Sequence, residues 1–170
     1  SNYIKIWNYT DTADKGADNL CSIVFGETED HKAEVLDVLF TKEPMEQTET
    51  AHAEQIKNNQ VNHARIESNS GGRGFSRNSE RIVKERGYHG AYYEPFHQSA
   101  NKQSRILSNA ALVENNVFFP SDWKIRWPDF YEAMTTYQRE GKNKHDDAPD
   151  AVTGIVETLA NDNKVQFIQF

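Results

Sequence analysis

Three strand-like segments follow one another near the start of the chain. They are residues 3–10 (YIKIWNYT), 20–25 and 33–40, rich in aromatic and β-branched residues. The links between them are short and polar, which favours antiparallel neighbours. Pro44 then breaks the pattern. A helix capped by Thr48 or Thr50 and running to about Asn59 is expected next, followed by a fourth strand at residues 61–67. A strand, helix, strand order requires a right-handed crossover, so the fourth strand must lie parallel to another. Few architectures satisfy both conditions. The chain is therefore expected to be α/β, with a mixed central sheet flanked by helices. Its first strand sits centrally, and the fourth lies parallel beside it.

The remaining segments fit that frame. Residues 68–78 (SNSGGRGFSRN) are Gly- and Ser-rich and read as a mobile loop. A helix over 79–86 ended by Gly87, a strand over 90–96, a helix over 102–114 and a short extended piece at 117–119 follow. Pro128 suits the first turn of a helix reaching about Arg139. The last helix runs from Asp147 to about Leu159, and residues 162–170 form a tail of alternating apolar residues. Trp123, Trp127, Phe130 and Tyr131 read as core, and His89 and His97 as surface or packing residues.

Composition narrows the class. At 170 residues the chain is expected to be one domain, long enough to bury a core. Hydrophobic content of 36% with 26% charged residues argues against disorder. No apolar run is long enough for a membrane span, and Ser1-Asn2-Tyr3 opens no secretory signal. A start without Met suggests an excised domain or a tag remnant. The single Cys21 excludes an internal disulfide and a cysteine zinc site, and fits a reducing cytosol. A net charge of −7 weighs against tight, free-standing nucleic-acid binding.

Carboxylates carry the chemistry. Asp11 ends the first strand and Glu67 the fourth, so in adjacent parallel strands they share one carboxyl-end crevice, the usual ligand position in open α/β sheets. The block His145 to Ala151 (HDDAPDA) adds Asp146, Asp147 and Asp150 at the start of the last helix. Oxygen ligands of this kind suit Mg²⁺ or Mn²⁺, and a pair of ions can be bridged by such a set. Taken singly, each has a structural reading: Asp11 as the start of an Asx turn, Glu67 as a solvated strand end, the aspartates as helix-dipole complements. Residues three or four apart share a helix face, so Asp147 and Asp150 point together, while Asp146 is placed to cap the helix. Asp147 is thus ranked first as ligand, Asp150 second and Asp146 third. His145 is either a group supporting the ligands or a polar loop residue.

The stretches YTDTADKGADN, ESNSGG and KNKHDDAPDAVTG, in that order, resemble the C-terminal nuclease domain of tailed-bacteriophage terminase large subunits, a ribonuclease H-like domain. The resemblance implies an endonuclease that cuts concatemeric double-stranded viral DNA during genome packaging, in the cytoplasm of the infected bacterial host. It implies two divalent cations, Mg²⁺ or Mn²⁺, held by Asp11, Glu67 and the Asp146, Asp147, Asp150 cluster. It further implies an ATPase motor domain on the same full-length chain, a small terminase subunit and a portal as partners, and no membrane. No GxxxxGK[ST] motif occurs, so the motor lies outside this chain. Arg73, Arg77, Lys102, Lys142 and Lys144 are candidates for contacting DNA phosphates. Another ribonuclease H-like nuclease, of junction-resolvase or transposase type, and a non-catalytic docking module using residues 164–170 are the competing readings.

Overall fold

The computed structural model of the protein describes residues 2–12, 19–138, 143 and 146–162. Six strands form one sheet in the order β5-β4-β1-β2-β3-β6. They are β1 (Lys5–Asp11), β2 (Leu20–Glu27), β3 (Ala33–Thr41), β4 (His63–Glu67), β5 (Tyr92–Phe96) and β6 (Val117–Phe118). The first three pair antiparallel, as the short links require. β4 lies parallel to β1 and β5 parallel to β4, and β6 returns parallel to β3. The expected mixed sheet, with β1 inside it and β4 alongside, is therefore present.

Alternation along the strands divides the core. On one face Trp7, Tyr9, Cys21, Ile23 and Phe25 pack with Phe130, Val152 and Ile155. That face is covered by α3 (Lys102–Asn116), α5 (Pro128–Thr135) and α6 (Asp147–Asp162). On the other face Val24, Ala64 and Ile66 pack with Ile56, Phe75 and Val83. Those come from α1 (Met45–Asn58) and α2 (Gly72–Glu85). Side chains reverse direction at each strand residue, so a strand buried on both faces must be apolar on both, as β2 is. Trp123 and Trp127 are half-buried against the first core. No described helix is long and apolar enough to cross a membrane.

Three expectations are corrected. The largest concerns residues 68–78, which are not a loop: a single 3-10 turn at Asn69–Gly71 leads directly into α2. The glycines serve this tight entry. Gly71 takes a left-handed φ of 102°, and a Cβ on Gly72 would lie 1.9 Å from the Glu67 carbonyl oxygen. Phe75, Ser76, Ser79 and Val83 then recur at helical spacing and are buried. Second, α1 begins at Met45 behind Pro44, with no side-chain cap, and the Thr48 hydroxyl donates to the Met45 carbonyl inside the helix. Third, α5 ends at Thr135. The Thr135 and Thr136 hydroxyls donate to the Tyr131 and Glu132 carbonyls, a local competition that accompanies helix ends. A further short helix, α4 (Trp123–Arg126), precedes it.

Candidate metal centre

β1 and β4 run side by side with Thr10 opposite Ile66, so their last residues, Asp11 and Glu67, are neighbours on the α6 face. The first turn of α6 approaches the same strand ends. Asp146 stands just before it, and its carbonyl accepts the Asp150 N–H at 2.9 Å, the first bond of the helix. Pro149 falls in that turn, where its missing N–H leaves no bond unmade. Asp11, Glu67 and Asp150 each offer an oxygen within 4.8 Å of the other two, and all three are buried.

Each carboxylate is held from behind. Tyr9 lies two residues before Asp11 on the same face, and its hydroxyl donates to Glu67 Oε1 at 2.7 Å. Arg105 of α3 donates through Nη1 to Asp150 Oδ1 at 2.5 Å and through its other nitrogens to Glu157, two turns further along the same face of α6. Asp147 is engaged differently: its Oδ2 accepts the Asn19 backbone N–H at 3.0 Å, and its Oδ1 accepts from Lys102 Nζ at 3.0 Å. Lys102 Nζ also stands 3.3 Å from Asp11, 3.4 Å from Asp146 and 3.5 Å from Asp150.

Burial and crowding of like charge set the electrostatics. Burial, then Glu67, pushes the Asp11 carboxyl well above its usual range, and Lys102 only partly offsets this. Burial and Asp150 raise Glu67, against the lowering effect of the Tyr9 hydroxyl. Burial and Glu67 raise Tyr9 well above 10, so it remains a donor. Burial works against the Lys102 charge, but Asp11, Asp150, Asp147 and Asp146 together raise its pKa.

A divalent cation fits these residues. The donor set is oxygen only, as hard cations prefer. While Asp11 is ionised, Asp150 Oδ2 is buried without a hydrogen-bond donor, with Lys102 Nζ at ion-pair range but not in hydrogen-bonding geometry. A buried carboxylate oxygen without a donor is expensive unless a cation supplies the missing interaction.

The structure thus brings together Asp11, Glu67 and Asp150. Asp147, ranked first from helix geometry, is buried beside them but bound to Asn19 and Lys102, and Asp146 is half-buried at the helix start. Arg73 and Arg77 are exposed on α2, four residues apart on one face. His145, Lys142 and Lys144 lie outside the described residues. His89 and His97 are exposed. Sequence reasoning does not single out Tyr9 or Arg105, and it gives Lys102 only as a phosphate contact. Their signal was weak: Tyr9 and Asp11 share a strand face by spacing alone, while the Arg105 contact is tertiary.

The profile of the family described as "Terminase RNaseH-like domain" matches residues 8–158. No curated protein matches the chain in sequence. Among solved structures, gp2c of the large terminase subunit from bacteriophage Sf6, with calcium, superposes with a TM-score of 0.63 at 11% identity, covering 92% of this chain and 89% of that one. The human cytomegalovirus terminase nuclease domain, manganese-soaked and inhibitor-bound, gives 0.62 at 13% identity, covering 91% and 82%. The fowlpox virus resolvase in complex with Holliday junction DNA gives 0.54 at 9% identity, covering 94% and 99%. At such identities the likeness is one of fold.

Proposed function

The chain belongs to the terminase RNase H-like domain family, and from that premise we propose that it is a divalent-metal-dependent endonuclease acting on duplex DNA. The observation that carries this reading is the convergence of Asp11, Glu67 and Asp150 from three separate elements, with Asp150 Oδ2 buried and lacking a donor. These three residues would hold the ions, with Asp147 completing the acidic wall and Lys102 balancing part of its charge. Held by these residues, a pair of Mg²⁺ or Mn²⁺ ions would supply a nucleophilic water and stabilise charge on the phosphate oxygens.

The protein's own contribution is positional. Arg105 fixes the Asp150 carboxylate through one oxygen, and Tyr9 fixes Glu67 in the same way. No carboxylate needs to move a proton, since each serves as a ligand. The substrate proposed is concatemeric viral DNA, cut during genome packaging in the cytoplasm of the infected host. An ATPase motor domain on the full-length chain, a small terminase subunit and a portal are proposed as partners.

The test is conversion of supercoiled plasmid to nicked and linear forms in millimolar Mn²⁺ or Mg²⁺, with and without excess chelator. Metal-dependent cleavage is expected, and cleavage that survives the chelator removes the metal reading. A strong preference for four-way junctions over plain duplex would move the substrate assignment to the resolvase type.

A further inference from the structure

α6 presents a glycine, Gly154, one turn after Asp150, and the glycine faces a ring rather than open space. A Cβ built there would lie 2.1 Å from Tyr9 Cζ and 2.3 Å from Cε1. No side chain fits beside that ring, which is 1% exposed and sits within the core between β1 and α6. Phe96 packs on the ring at a centroid distance of 5.8 Å. The ring's far end reaches Glu67, where the hydroxyl donates to Oε1 at 2.7 Å. The glycine notch therefore lets β1 and α6 approach while a full tyrosine passes between them to the carboxylate.

We propose that Tyr9, admitted by Gly154, is a positioning residue for the metal ligand Glu67. This rests on the metal-centre reading above. Glu67 has three side-chain torsions, and the Tyr9 bond fixes one of its carboxylate oxygens. Pinning one oxygen on folding removes rotamer freedom that ion binding would otherwise have to remove. The ring alone would fill the core equally well as phenylalanine. The hydroxyl adds nothing to apolar packing, and its recorded partner is Glu67.

The experiment compares native protein with Tyr9→Phe by Mn²⁺ titration calorimetry, with melting temperature and circular dichroism as controls for the fold. Loss of a group that orients a metal ligand typically weakens affinity roughly 10–100-fold. Tyr9→Phe is expected to lie at the lower end, about 10-fold weaker, with its metal-free fold retained. Plasmid nicking by Tyr9→Phe should need correspondingly more Mn²⁺ and recover near-native rates at saturating metal, which a general packing defect would not do. Gly154→Ala, whose Cβ would meet the ring itself, should also weaken Mn²⁺ binding, and a folded Gly154→Ala with native Mn²⁺ affinity would remove the notch from the proposal. Mn²⁺ affinity within twofold of native in Tyr9→Phe overturns the proposal, as does unfolding of that variant, which would make the hydroxyl structural. Native protein that binds no Mn²⁺ would instead defeat the metal-centre reading itself.

Discussion

At the scale of single residues, burial and charge separate the aspartates of HDDAPDA. Asp150 is fully buried, donor-starved at Oδ2 and grouped with Asp11 and Glu67, whereas both oxygens of Asp147 already accept hydrogen bonds. Asp11→Asn, Glu67→Gln and Asp150→Asn should each lower nicking by roughly 100-fold or more, beyond what residues that only orient ligands usually cost. Asp147→Asn should be milder, and Asp146→Asn milder still; steady-state nicking rates of the five variants, measured together, check the order. The raised carboxyls give a second expectation. Asp11 and Glu67 hold protons more tightly when folded than when unfolded, where they titrate near about 4. The stability they contribute is then complete below that value and is lost as pH rises through their raised folded values. In chelator, the melting temperature should fall across this window, and less steeply in Asp11→Asn. Mn²⁺ binds the ionised forms, so its stabilisation should grow over the same window. At a hundredfold excess over Kd, linkage gives about 2.7 kcal/mol, or roughly 5–10 °C for a domain of this size. Scanning calorimetry against pH checks both, and an equal pH slope in Asp11→Asn would remove Asp11 from the cause.

At the scale of elements, α2 carries the clearest contrast with expectation. Its glycines suggested a loop, because local composition cannot show that Gly72 is pressed against the Glu67 carbonyl. The spacing of Phe75, Ser79 and Val83 is present in the sequence but competes with the serines and glycines before it. Placing Arg73 and Arg77 on a helix makes them a fixed pair rather than members of a mobile loop. The double variant Arg73→Ala, Arg77→Ala should therefore raise the DNA concentration needed for half-maximal cleavage several-fold and flatten its salt dependence, while the melting temperature stays within a degree or two. Unchanged salt dependence would take α2 out of the DNA path. The strands were far more legible. β1 to β3 are rich in aromatic and β-branched residues and bounded by turn residues, and chain order alone puts Asp11 beside Glu67. The α6 candidate is harder to read, since periodicity allows two pairings and only the Arg105, Asn19 and Lys102 contacts separate Asp150 from Asp147.

At the scale of the whole molecule, the fold concentrates negative charge where three elements meet and sets against it two cationic side chains from a fourth, α3: the buried Arg105 and the half-buried Lys102. A net charge of −7 is compatible with a nuclease whose carboxylates are neutralised by cations and whose grip on DNA is supplemented elsewhere. If Asp11, Glu67 and Asp150 hold a divalent cation, anomalous diffraction from crystals grown in Mn²⁺ should locate it among them. The expected result is a manganese peak bonded to oxygens of all three residues, lost in crystals of Asp150→Asn. A peak confined to other carboxylates, or an undiminished peak in that variant, would contradict it.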